Sequence, residues 1–241
     1  MSCRPVRRCL SVAAAVAFGA GLLAAGGCGD ETLTYAREAR ATGMTCYQKG
    51  DYVDAAAAFA NATRQDPRDY LSYYYLGASY QATGQYQQAI GAYRSCQAEQ
   101  QTTLAGRRDG AVRYQTFDNL ARCIAKGGTA GAEETALEAK LRGAPDADDQ
   151  WMLAKIFNYN MQPDEAITAY TQAVLLDPSR FDIAKEAGLY EEGIKQNKMA
   201  AETLKKAYAV NPNDDEVNAA LRRLGVVLGP SLRDERTLSH M

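Results

Sequence analysis

The chain is poor in the residues that most enzyme centres need. It has one histidine in 241 residues, His240, in a stretch that reads as a loose tail. Ser-His-Asp and Cys-His catalysis, and any multi-histidine metal centre, are therefore excluded. No Walker-type loop is present and no GxGxxG follows a strand, so the common phosphate-cradling loops are missing too. The seven prolines fall at ends and turns, and no long period-two alternation appears, which argues against a sheet protein. A basic excess is also lacking: 27 Lys and Arg face 29 Asp and Glu. Without Arg4, Arg7 and Arg8 the count becomes 24 against 29, a net charge of −5. Such a balance offers no global field for DNA or RNA, and nucleic acid is not expected as a partner.

What is present is a period. Gly50, Ala55 and Phe59 recur 34 residues later as Gly84, Ala89 and Tyr93, and Gly43 and Cys46 recur as Gly77 and Tyr80. Near the C-terminal end, Ala154, Ala166, Tyr170, Ala173 and Pro178 recur at the same step as Gly188, Ala200, Leu204, Ala207 and Pro212. One unit reads as a helix, a tight turn and a second helix. Gly50 and Gly84 stand where the first helix must stop, a position suited to positive φ. Small residues at Gly43, Gly77, Ala154 and Gly188 let two helices approach, and Phe59, Tyr93, Tyr170 and Leu204 fill the space between them. Asp66-Pro67, Asp177-Pro178 and Asn211-Pro212 end the second helices, because proline cannot continue them.

These positions resemble the tetratricopeptide repeat (TPR) family. The resemblance implies an all-α, right-handed superhelical solenoid of about five helix-turn-helix units with a C-terminal capping helix. The repeats read as about Ala36 to Asp69, Tyr70 to Thr103, Tyr114 to Ala147, Ala147 to Arg180 and Phe181 to Asp214, with Asp215 to Leu224 as the cap. The spacing from Ala89 to Ala166 is nine residues too long for two repeats, which places an insertion around Gln97 to Arg113, carrying Gly106, Arg107, Arg108 and Gly110. It is expected to lengthen a helix end or form a longer loop. Phe117, Leu120, Ala121 and Ile124 give a buried helical stripe, and Gly127-Gly128 the turn after it.

Residues 1–27 read as an export signal: Arg4, Arg7 and Arg8, an apolar run from Leu10 to Leu23, then small residues before Cys28. This resembles the lipobox of bacterial lipoproteins, with Ala25 where leucine is usual. The resemblance implies cleavage and acylation at Cys28, with palmitate among the chains, and stable attachment to a membrane. Residues 28–34 are then a tether, 35–225 the solenoid and 226–241 a disordered tail. The expected location is the bacterial cell envelope, at the outer membrane facing the periplasm if the host sorts as enteric bacteria do, since Gly29 is no retention acid. The bland alternative is an ordinary signal peptide and an accidental thiol.

Cys46, Cys96 and Cys123 remain. Export to an oxidising compartment makes Cys96 and Cys123 a candidate disulfide, and burial of all three as hydrophobic fillers is the competing reading. Glu191-Glu192 and Asp214-Asp215 read as acids at helix surfaces or helix starts, so no general acid or base is assigned. The family's first helices line a groove for peptide segments. Carried over by register, that groove takes Arg37, Arg40, Met44 and Tyr47 from the first repeat and Tyr74 and Ala78 from the second. Asp118, Arg122, Trp151 and Lys155 come from the third and fourth. Met44, Tyr75 and Gln115 interrupt the family's two-carboxylate clamp. Trp151 reads equally well as packed against a neighbouring helix.

The function expected is an envelope scaffold or assembly factor that binds other proteins, with no metal or small-molecule cofactor. In layout it resembles lipoproteins that assist outer-membrane protein insertion or secretin assembly. Alternatives are a soluble periplasmic protein that self-associates, or a hydrolase using facing carboxylates in the groove.

Overall fold

The computed structural model describes residues 28–229 and Leu232. The export signal, and the expected tail from 230 onward apart from Leu232, lie outside the described residues. Among the described residues there are twelve α-helices and no strand. They divide into two compact units, one ending at Leu120 and the other beginning at Ala121.

The first unit holds α1 (Cys28–Gln48), α2 (Tyr52–Gln65), α3 (Tyr70–Ala82), α4 (Tyr86–Thr102), α5 (Leu104–Arg108) and the larger part of α6 (Gly110–Lys126). Two hairpins, α1 with α2 and α3 with α4, pack through α2 and α3. Their core gathers Cys46, Ala55, Ala56, Phe59, Leu76 and Ala92, with Met44, Tyr47, Tyr75 and Tyr80 packed against it. Phe59 and Tyr93 are fully buried, and each such ring contributes about 2 to 3 kcal/mol by leaving water. The glycines opposite make room for them. A Cβ on Gly43 would stand 2.8 Å from the Phe59 ring, and one on Gly77 2.8 Å from the Tyr93 ring.

The second unit holds α7 (Ala130–Gly143), α8 (Ala147–Tyr159), α9 (Pro163–Leu176), α10 (Phe181–Gly193), α11 (Asn197–Val210) and α12 (Asp215–Arg223). Hairpins α8/α9 and α10/α11 repeat the same architecture, α12 packs on α10 and α11, and a Cβ on Gly188 would meet Leu204 at 2.5 Å. The capping helix is therefore where the period places it.

The turns share one hydrogen-bond pattern. The Gly50 amide donates to the Tyr47 carbonyl (3.0 Å) and the Asp51 amide to that of Cys46 (2.9 Å), a Schellman closure that needs a left-handed residue. Gly50 has φ 81° and Gly84 φ 75°. After α8 and α10 the same station is filled by Met161 (φ 61°) and Lys195 (φ 66°), with equivalent bonds from Met161 to Asn158 and from Gln162 to Phe157, whereas Gly128 (φ 73°) fills it after α6.

Three boundaries differ from the sequence expectation. Residues 28–34 belong to α1, so the segment assigned to a tether is helical. The insertion lengthens a helix end, as one of the two expectations had it, with α4 running to 17 residues against 14 in α2; in place of the longer loop there is a separate short helix, α5. The third repeat consequently starts at Gly110, not Tyr114.

Candidate functional site

In the first unit the first helices of successive hairpins meet side chain to side chain. On α1, Arg37, Arg40, Met44 and Tyr47 follow one another at steps of three and four and share one helix face. Arg37 is exposed, while the other three are half-buried. Arg40 Nη1 donates to Asp69 Oδ2 at 2.9 Å, and Asp69 also caps α3, accepting from the Ser72 hydroxyl (2.7 Å) and the Ser72 amide (3.4 Å). One carboxylate thus ties α1 to the start of α3 and supplies an acceptor for α3's first amides.

The tyrosines extend that contact. Tyr47 meets Tyr75 edge to face at 5.5 Å and Tyr52 at 5.3 Å, and Tyr75 stacks on Phe59 at 5.5 Å. Tyr74 lies edge-on to Tyr75 (5.1 Å), and its hydroxyl donates to Gln115 Oε1 on α6 (3.0 Å). The Tyr70 hydroxyl donates to Asp109 Oδ2 (3.1 Å), and Asp109 Oδ1 accepts from the Val112 amide near the start of α6 (3.1 Å). Burial pushes the Tyr74 hydroxyl up to about 12 and raises that of Tyr47, so both stay protonated donors at any physiological pH. The face is aromatic, half-exposed and hydroxyl-bearing, with Arg37 at one edge. Ala78 does not join it, since only 9% of its surface is exposed. Asp118 is half-buried on α6.

The second unit treats its predicted residues differently. Trp151 and Lys155 are buried, at 0% and 1% exposure. They do not line a groove: both end on Glu186 of α10. Glu186 Oε2 accepts from Trp151 Nε1 (2.9 Å), and Oε1 accepts from Lys155 Nζ (2.5 Å) and the Tyr170 hydroxyl (2.8 Å). The Lys155 ammonium also sits 4.9 Å from the Trp151 ring centre, and Arg180 covers that ring at 5.8 Å. Arg180 in turn chelates Asp182 (2.8 and 2.7 Å) and bonds Asp148 (2.9 Å). A buried ammonium demands a carboxylate, so Lys155 in the apolar run from Trp151 to Phe157 was a signal for a buried acid. Glu186 was missed because it lies 31 residues away. Arg122 donates to the Tyr159 hydroxyl (3.0 Å) and lies 5.3 Å over its ring.

Cys46, Cys96 and Cys123 are buried thiols, not halves of disulfides, which corrects the candidate Cys96 to Cys123 bridge. Cys96 Sγ pairs with the Thr116 hydroxyl at 3.5 Å. Burial raises both Cys96 and Cys123 to about 11, leaving almost no thiolate for oxidation or exchange. Among the described residues no group of three or more His, Cys, Asp or Glu is placed to hold a metal ion. The side chain of Cys28 lies outside what is described.

Residues 58–91 match the tetratricopeptide repeat family. The helix hairpins are tetratricopeptide-like. Among solved structures, the chain is similar to a thermophilic tetratricopeptide protein of Thermus thermophilus, at 16% identity and a TM-score of 0.46, over 80% of this chain and 100% of that one. MamA from Desulfovibrio magneticus aligns at 21% identity and a TM-score of 0.38, over 75% of this chain and 97% of that one. YrrB, described as a tetratricopeptide protein with an unusual peptide-binding site, aligns at 16% and 0.38, over 81% and 98%. These TM-scores fall below 0.5, so the fold assignment rests on the hairpins themselves and the family match. No curated protein matches the chain.

Proposed function

We propose that the chain is a protein-binding scaffold that takes an extended peptide segment across the first helices of its N-terminal unit. The observation that carries this reading is the joined face of α1, α3 and α6, where Tyr47, Tyr74 and Met44 stay half-exposed although neighbouring residues of the same helices are buried. Aromatic and arginine side chains dominate interface energies, and tyrosines already held by neighbours lose little rotamer freedom on binding. Arg37 would take an acidic group at the α1 edge, and the rings an aliphatic one. A displayed peptide library should enrich such sequences, and Arg37→Glu should weaken the selected peptides about tenfold, the loss of one exposed charge-assisted contact plus a repulsion. Equal binding by Arg37→Glu and Tyr74→Phe would remove this face from the function.

The envelope location belongs to the same proposal and draws on sequence alone. Among the described residues no helix is long and apolar enough to cross a membrane; in this reading attachment comes from acyl chains on Cys28. The scaffold reading does not require it. Native protein and Cys28→Ala, expressed in a Gram-negative host and compared by fractionation and intact mass, separate the two forms. Acyl mass and membrane recovery lost in the variant establish the anchor. A soluble, unacylated native protein makes it a diffusible periplasmic repeat protein.

A further inference from the structure

The insertion that breaks the repeat period builds a cavity of its own. The prolonged end of α4, the short α5 and the first part of α6 border a cavity of about 370 Å³ that is open to solvent, lined by Gln97, Gln100, Gln101, Arg107, Arg113 and Phe117, with Gly106 against its wall. Gly106 is what lets α5 close on α4, because a Cβ there would stand 2.6 Å from the Gln100 carbonyl oxygen.

Three features give this cavity a chemistry. Its lining carries two guanidinium groups and no carboxylate. Gln100 is buried, at 4% exposure, and its Nε2 is a buried donor without a hydrogen-bond partner; native proteins seldom leave such a group unmet. Phe117 supplies an apolar wall, with the Arg113 guanidinium 5.8 Å over its ring. Arg107 lies at the mouth, exposed, its Nη1 donating to the Gln101 carbonyl at 3.3 Å.

We infer that this cavity binds a carboxylate attached to a compact apolar group. The carboxylate would accept from Gln100 Nε2 and from the guanidinium groups, and the apolar part would lie on Phe117. The same chemistry is offered by a free organic acid and by the C-terminal carboxylate of a peptide ending in an apolar residue. The cavity shares α6 with the proposed peptide face but none of its side chains, so the two can be tested separately.

The test uses the full chain labelled with ¹⁵N and three probes: phenylacetate, a hexapeptide ending in phenylalanine with its C-terminal amide as control, and inorganic phosphate. Phenylacetate should shift the Gln100 side-chain amide signals with a Kd of about 1 mM or below. Arg107→Gln, at an exposed position that leaves the helices intact, should weaken it several-fold, and Gln100→Leu should abolish the shifts that phenylacetate also causes at the backbone amides of Gly106 and Phe117. Tighter binding by the free-acid peptide than by its amide assigns the site to chain termini; binding by phenylacetate alone assigns it to small acids. Phosphate binding as tightly as phenylacetate would overturn the apolar half of the inference. Absence of any shift with all three probes, or shifts unchanged in Arg107→Gln and Gln100→Leu, would overturn it entirely.

Discussion

Glu186 shows how one side chain can decide what its neighbours are for. Trp151, Lys155 and Tyr170 all donate to it, and two of these would otherwise look like binding residues. Removing one member of a buried pair leaves a charge without compensation, which costs far more than the pair is worth. Glu186→Ala should therefore destabilise the second unit by about 3 kcal/mol, read as a lower urea midpoint. Lys155→Met made together with Glu186→Leu should recover much of that loss.

Glu191, five residues on, is the opposite case. It is 1% exposed, and its Oε2 has no hydrogen-bond partner. Burial pushes its carboxyl above the ordinary value, a rise that the Thr203 hydrogen bond and Lys206 only reduce. Its folded form thus holds a proton that the unfolded chain releases earlier. The stability difference between the wild-type protein and Glu191→Gln should then be constant below the ordinary glutamate pKa. As pH rises through the raised folded value it should move in favour of the variant, and then level off. Denaturant titrations between about pH 4 and 8 check the slope; a flat difference would show that Glu191 ionises in the folded state as it does in water.

The helix-turn-helix is the recurring element, and the residue at its turn differs from hairpin to hairpin. Gly50 and Gly84 enter the left-handed region freely, whereas Met161 and Lys195 enter it with a Cβ in the way. Met161 is 86% exposed, so its side chain gains nothing from packing. Met161→Gly should raise stability by about 1 kcal/mol, the left-handed penalty less the entropy that glycine adds to the unfolded chain, and a thermal melt would show it. A loss would mean the Met161 side chain has a contact of its own.

A second regularity at this level joins hairpins. Arg40 reaches Asp69, the N-cap of α3, and Lys185 reaches Asp214, the N-cap of α12, each 29 residues on. Burial alone would raise Asp214, but the Val217 amide and the Lys185 ammonium more than reverse it and leave its carboxyl below the ordinary value. That contribution is complete above the ordinary aspartate pKa and disappears as pH falls through the lowered one. Lys185→Met should cost about 1 kcal/mol at neutral pH and less in acid below the lowered Asp214 value, measured by urea unfolding.

Taken as a whole, the chain declares its hairpins and hides its surface. Small, bulky and terminating residues at a step of 34 gave the helix pairs, the turns and the capping helix, because each has a local steric cause that sequence carries directly. The boundaries around the insertion were blurred, since α5 is held by Gly106 fitting against Gln100, a tertiary fact. Groove residues transferred by register fared unevenly. Register fixes which helix face a residue occupies, but Trp151 and Lys155 were claimed by an acid that register does not reveal, while Tyr47 and Tyr74 stayed at the surface. The cysteine pairing failed for a similar reason: burial and a Thr116 hydroxyl account for Cys96 without a bridge.

If a partner lies on the first helices of the N-terminal unit, site-specific photo-cross-linking will capture it there. A benzophenone side chain placed at Arg37 on α1, and separately at Gln88 on α4, would be irradiated with a selected peptide. A saturable adduct is expected at Arg37, competed away by unlabelled peptide, and none at Gln88. Adducts of equal yield at both positions, or at Gln88 alone, would contradict it.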